Sequence, residues 1–476
     1  MAQNDDHRSR QLPSMYTAHD EFLGASSGLT HDSSHPQHCT PSNDLLSPTD
    51  ALPDEVLSQI FQALILSSIE DDGLSQFPPQ FTLGAVSARW RRVVWHTRNL
   101  WEIFSMKVTA STLPNVVSML RVCNENRGVL KGYVALDMGG IDPNASKTPR
   151  ELLDELGSAM FLSADASNFH SLQLHRPPTY WLRSLRKNCS SLHHLRLSWH
   201  PWWPDAATGD RGPWRKELRV QLPWQNFTTL SIHCVPVNVC IELLKGCPDL
   251  TCFESYNIQN TAGNHHPPFG GQENSPITIL TKLQCLKWDS QQLGWGPLLG
   301  WDAYLLGFLE FPALQHIAWA FPPAERSSRN TFSQFISRTT HHIDTFELIG
   351  SHLVIPWFKS LLDILGPRLC NVICTGFPPS ALPQILSMFE QNIIHFPVLR
   401  SLKFASARRD RMESSLFIES INNLARQRKQ GGTGKFYFEV ENLNVVWSLP
   451  DRALMSQVKG DGFHLVIKHD GSSMDL

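Results

Sequence analysis

From about residue 165 onward one short pattern keeps returning: apolar, two residues, apolar, one residue, apolar. It reads Phe169-Leu172-Leu174, Leu192-Leu195-Leu197, Phe227-Leu230-Ile232, Leu283-Leu286-Trp288, Leu314-Ile317-Trp319, Ile343-Phe346-Leu348 and Leu399-Leu402-Phe404. Weaker copies start at Leu250 and Leu369, and the spacing between successive first positions is 23, 35, 23, 33, 31, 29, 26 and 30 residues. In most copies the last two apolar positions alternate with a polar one, as on a strand that buries a single face. The gaps leave room for one strand and one helix per copy. A half-apolar strand cannot stand alone, so units of this kind bury their faces by stacking on their neighbours.

Three copies share a second regularity. Pro248, Pro312 and Pro397 each lie two residues before the first apolar position. Each follows a helix-like apolar segment, such as "VNVCIELLKGC" or "PQILSMFEQNIIHF". Proline cannot continue a helix, so it is expected to end one element before the next strand begins. The units resemble irregular leucine-rich repeats. They lack the Asn that regular repeats carry after the strand, so the stack is expected to be held mostly by apolar packing. A plain α/β domain whose strands share a pattern is the alternative.

In a stacked array the residue between the last two apolar positions faces outward. That slot holds Gln173, Arg196, Ser231, Glu254, Lys287, Ala318, Glu347, Ile373 and Lys403. Arg196, Glu254, Lys287, Glu347 and Lys403 are therefore the candidate substrate-binding residues, on a face of mixed charge unlike a phosphate-reading Arg cluster. Fifteen Trp, several in "SWHPWWPD" and "GWGPLLGWD", are expected to fill the core between uneven repeats. Exposed copies could anchor a partner.

Upstream, helical patterns run from 53 to about 68 and from 82 to about 96, separated by "IEDDGLSQFPPQ". A short segment at Leu100-Trp101 closes the block near residue 105. Pro53 fits the first helical position, and Asp54 and Glu55 favour the positive end of the dipole. Val56, Ile60, Leu64, Leu57, Phe61 and Ile65 spread over about 180° of this helix, wider than the stripe of about 100° that one-sided packing needs. The surplus calls for a neighbouring domain or a partner. The second pattern places Leu83, Val86, Trp90, Val93 and Val94 on one ordinary buried face, with Arg89, Arg91 and Arg92 off it.

These residues carry a specific resemblance. "LPDEVLSQIF" followed by "VSARWRRVV" and "LW" resembles the F-box, the helical module of ubiquitin-ligase substrate receptors. The match covers about fifty residues; Ala88 stands where many members carry Cys, and the loop through "EDDGLSQFPPQ" is longer than usual. The resemblance implies docking on a Skp-family adaptor, and through it on cullin and RING subunits, with a protein substrate of unknown identity held near a conjugating enzyme. Carried over by position, Leu52, Pro53, Glu55, Leu57, Ile60, Phe61, Val86, Trp90 and Trp101 form the candidate adaptor-binding set, with Trp90 nearer the core and Trp101 nearer the rim. The repeat region is also similar in texture to the irregular leucine-rich arrays of fungal F-box proteins.

The expected architecture is therefore α/β: a disordered polar tail over 1–48, a small helical F-box over 49–105, a connecting or first-repeat region over 106–164, and a leucine-rich-repeat-like solenoid over 165–470. The formal net charge of −3 provides no footprint for nucleic acid or an anionic membrane. The start "MAQNDDHRSR" carries no apolar signal-peptide core, and there is no run long enough to span a bilayer. Scattered Cys, including Cys234, Cys240, Cys247 and Cys252, match no zinc spacing and suit reduced thiols in cytoplasm or nucleus. A metal site through His31, His35, His38 and Cys39 is outweighed by the polar-tail reading. "GGTGK" at 431–435 fails the phosphate-loop pattern, because Lys429 stands where the first Gly belongs. With no HExxH and no GxSxG elbow, the expectation is a non-enzyme without cofactor or metal.

Overall fold

The computed structural model describes residues 51–70, 74–141, 147–162, 167–178, 189–199, 226–258, 278–289, 309–320, 326–339, 342–350, 355–391, 396–406, 411–412, 414–430, 435–442, 444–445, 463–469 and 472–473, with 181, 185, 305–307 and 453. The polar tail, the His31–Cys39 stretch, "GWGPLLGWD", most of "SWHPWWPD" and most of "GGTGK" lie outside them. The sheet and its helices belong to one compact unit, which begins at Asp54.

Thirteen parallel strands lie side by side in chain order: β1 (Ile103–Thr109), β2 (Gly132–Gly140), β3 (Phe169–His175), β4 (His194–Ser198), β5 (Thr229–His233), β6 (Cys252–Tyr256), β8 (Cys285–Trp288), β10 (His316–Ala320), β11 (Thr345–Ile349), β12 (Asn371–Phe377), β13 (Ser401–Ser406), β15 (Phe436–Glu441) and β17 (Phe463–His469). Short β18 (Ser472–Ser473) pairs antiparallel with β17 at the far edge. Two further strand pairs lie outside the sheet: β7 (Thr278–Ile279) with β9 (Leu309–Glu310), and β14 (Arg411–Met412) with β16 (Asn444–Val445). Strand order equal to chain order is the topology of a stacked α/β repeat array.

The apolar pattern is the core of this array. Every position of the nine copies is at most 3 % exposed. Their middle positions form one registered row, Leu172–Leu195–Leu230–Phe253–Leu286–Ile317–Phe346–Val372–Leu402, which runs on to Phe438 and Leu465 and back to Val134 and Phe104. The array is thus longer than the nine copies. Residues 106–164, expected as a connecting or first-repeat region, hold most of β1, all of β2 and, among the described residues, two helices. These are α4 (Leu113–Arg127) and α5 (Lys147–Phe161). Later helices cover the inward side: α6 (Val237–Gly246), α7 (Arg326–Thr339), α8 (Ile355–Leu365), α9 (Leu382–Gln391) and α10 (Ser414–Gln430). Their apolar residues follow helical spacing, as in Phe358, Leu361, Leu362 and Leu365, all at most 2 % exposed. Aromatic contacts such as Trp319–Phe332 at 4.9 Å lock helix to sheet.

The recurring prolines are part of a turn. Leu250, Leu314 and Leu399 each donate their N–H to the carbonyl three residues back, at Cys247, Phe311 and Phe396. Pro248, Pro312 and Pro397 therefore sit at the second position of a β-turn, where a fixed φ is favourable. Cys189–Leu192 makes the same turn without proline. Beyond the turn the stack has a polar seam, so apolar packing does not hold it alone. His193, Thr228, Thr251, Gln284, Gln315, Asp344 and Cys370 each offer a carbonyl that accepts two N–H groups from the next copy. This ladder ties neighbouring copies together in place of an Asn.

The helical block consists of α1 (Asp54–Glu70), α2 (Pro79–Val86), α3 (Ala88–His96) and a 3-10 turn at Arg98–Trp101. The single helix expected over 82–96 is two. Pro79 starts α2 at its first turn, and Ser87, in an extended conformation, ends it and caps α3 by accepting from the Trp90 N–H at 3.1 Å. The block adjoins the free side of β1, where the Lys107 N–H donates to the Ser75 carbonyl at 2.6 Å.

Candidate functional site

Two surfaces hold the residues singled out from the sequence. On α1, Leu57, Phe61 and Ile65 are at most 1 % exposed. Phe61 packs on Trp90 with ring centres 4.8 Å apart. The neighbouring stripe points away: Val56, Ile60 and Leu64 are 37 %, 41 % and 49 % exposed. Pro53 and Glu55 are exposed, Leu52 is half-buried, and Val86, beside the break at Ser87, is exposed. Leu57 and Phe61, expected at the adaptor interface, are core residues instead, because α2 and α3 close over that stripe. The two tryptophans trade places. Trp101 is buried, donating Nε1–H to the Val94 carbonyl at 2.9 Å, while Trp90 is half-buried. Breaking the helix at Ser87 rephases Trp90, Val93 and Val94 against Leu83 and Val86, and Val86, the last residue of α2, is exposed. Arg89 pairs with Asp54 at 2.7 Å and Arg91 donates to the Gly84 carbonyl.

The outward face of the sheet is the second surface. The slot between the last two apolar positions forms one registered row from Gln173 through Arg196, Ser231, Glu254, Lys287, Ala318, Glu347 and Ile373 to Lys403. The structure brings Glu254, Lys287 and Glu347 together and leaves Arg196 and Lys403 to either side. Lys287 Nζ reaches Glu347 Oε2 at 3.3 Å across an intervening strand. The reach is possible because the residue between them in register is Ala318, too small to block the way. Lys403 belongs to a separate network, 2.9 Å from Glu441, which with Glu439 also holds Lys468.

A second outward row lies two residues upstream, at positions that the apolar triplets do not single out. There Cys252, Cys285, His316 and Thr345 are register partners on successive strands. Cys285 Sγ is 3.6 Å from His316 Nδ1, and His316 Nε2 is 3.7 Å from Glu347 Oε2. Thr375 donates to Glu347 Oε1 at 3.2 Å. Lys287 also lies over the Tyr256 ring, on which His233 stacks at 4.5 Å.

The groups polarise one another. The Cys252 thiol donating to Cys285, with His316 on the other side, holds Cys285 down at about 5. The same bond pushes Cys252 up. Burial opposes a charged His316, but Cys285 and Glu347 outweigh it and lift the imidazole to about 9. Burial likewise opposes ionised Glu347, and His316 and Lys287 outweigh it, holding the carboxyl below its ordinary value. Cys285, His316, Glu347 and Lys287 thus each favour the charged form of their neighbours. Cys252, Glu254 and Cys285 place their ligand atoms within 4.8 Å of one another.

No protein-family model matches the chain, and no curated protein matches it. Among solved structures it is similar to the leucine-rich repeat-containing protein LegL7 from Legionella pneumophila, with 9 % identity and a TM-score of 0.33 over 78 % of this chain and 85 % of that one. The repeat architecture rests on the strand order and registered rows described above. Among the described residues no helix is long and apolar enough to cross a membrane.

Proposed function

We propose that the chain is a non-catalytic substrate receptor of a Skp–cullin–F-box ubiquitin ligase. In this reading the outer stripe of α1 docks a Skp-family adaptor, and the strand face holds a protein substrate. One observation carries it: Val56, Ile60 and Leu64 stay exposed on a helix whose adjacent stripe is filled by its own block. A row of three aliphatic side chains, with exposed Val86 on the same block, is what a partner helix would cover. Leu52 and Pro53 directly precede that helix in sequence, and Glu55 lies in its first turn. The polar, partly exposed strand face suits recognition of a folded or extended protein segment.

The test is co-elution of the full chain with a Skp-family adaptor. Ile60→Glu with Leu64→Glu is expected to abolish the complex while leaving the thermal unfolding midpoint unchanged. A wild-type chain that does not bind the adaptor would overturn the reading. A second reading, a repeat-based interaction scaffold whose helical block only caps the array, draws on the Ser75–Lys107 bond that ties the block to β1. Adaptor binding without recruitment of cullin would favour it.

A further inference from the structure

Cys252 and Cys285 lie 33 residues apart in sequence and face each other in register on β6 and β8. Glu254, two residues after Cys252, shares its face. The two Sγ atoms and the Glu254 carboxylate fall within 4.8 Å of one another, and His316 Nδ1 approaches Cys285 Sγ from the other side at 3.6 Å. Two sulfurs, an imidazole nitrogen and one carboxylate oxygen form the donor set of a thiophilic d10 cation. We propose that Cys252, Cys285, His316 and Glu254 bind a zinc ion on the outward face of the sheet.

The trio of Cys252, Cys285 and Glu254 needs little adjustment. Zinc–sulfur bonds of about 2.3 Å put two sulfurs about 3.8 Å apart around a tetrahedral ion. For these three a side-chain adjustment of about 1 Å takes separations of up to 4.8 Å close to that value, whereas His316, outside that trio, has to swing in past Cys285 to complete the set. The second nitrogen of His316 faces Glu347 at 3.7 Å, which leaves Nδ1 toward the Cys285 sulfur. Two thiolates and a carboxylate around a dication leave one negative charge, and Lys287, which pairs with Glu347, lies beside Glu254 and offsets part of it. Cys252 and Cys285 are half-buried and so within reach of an ion from solvent, whereas Cys123, Cys189, Cys234, Cys240, Cys247 and Cys374 are buried.

The experiment uses the full chain, reduced and stripped with a chelator, titrated with Co2+ alone and then Zn2+ alone. One Co2+ per chain is expected, with sulfur-to-metal charge-transfer absorption that one equivalent of Zn2+ removes. Cys252→Ser and Cys285→Ser should each lose that band, and His316→Gln and Glu254→Gln should weaken it. Cys370→Ser and Cys39→Ser should leave it intact. Absence of the band in the wild type, or its persistence in both the Cys252 and Cys285 variants, overturns the site. Where a serine variant fails to fold, His316→Gln and Glu254→Gln, at partly exposed positions, decide the question: unchanged Co2+ affinity in both refutes the proposal.

Discussion

The outer stripe of α1 is exposed, the centre of the strand face is half-buried with Glu347 buried, and the two are built in opposite ways. The α1 stripe is a local surplus: six apolar residues within ten positions, of which the block's own core takes three. The strand face is assembled from afar, by residues on β6, β8, β10 and β11 that the ladder brings into one row. The first surface owes its character to what it leaves unburied, the second to what it places together. Disturbing the first should change binding without touching the fold, while the second is tied to the sheet.

That contrast can be broken most sharply within α1 itself. Phe61→Ala removes a fully buried ring from against Trp90 and should cost about 3–5 kcal/mol, read as a lower urea midpoint. On the strand face, Glu347→Gln takes the shared carboxylate from Lys287 and His316, and a loss of about 1–3 kcal/mol is expected in the same measurement. Smallest is Ile60→Ala, one residue from Phe61 but exposed, which should shift stability by no more than about 0.5 kcal/mol. If Ile60→Ala proved as destabilising as Phe61→Ala, the division of α1 into an inner and an outer stripe would be wrong.

Much of the array is legible in the sequence because its signal is periodic. The apolar triplets are spaced for a strand, and each lands in the core; the middle outward row follows from the same alternation. Legibility ends where the cause is not local. Val86 and Trp90 share a face only on an unbroken helix, and Ser87, acting as a cap, breaks it. β1 escapes the repeat count because its triplet, Trp101-Phe104-Met106, falls where the sequence reads as the end of the helical block, and β2 because Lys131 stands at the first position before Val134 and Leu136. The thiol–imidazole row escapes because the triplet marks only one outward slot. The residue directly before each middle apolar position, Cys252 or Cys285 or His316, points the same way. What makes Cys252 meet Cys285 rather than Cys247 is the pairing register, which no short-range spacing reveals.

The bond from Lys107 to Ser75 has a further consequence. β1 would otherwise end the sheet with a row of unpaired backbone groups, a template on which another chain could add a strand. The Ser75 carbonyl of the helical block meets that margin at Lys107, and at the other end β18 pairs with β17 at Lys468 and His469. A fragment trimmed to the repeats alone would lose its terminator, so self-association of such a fragment would report an uncovered margin rather than a native assembly.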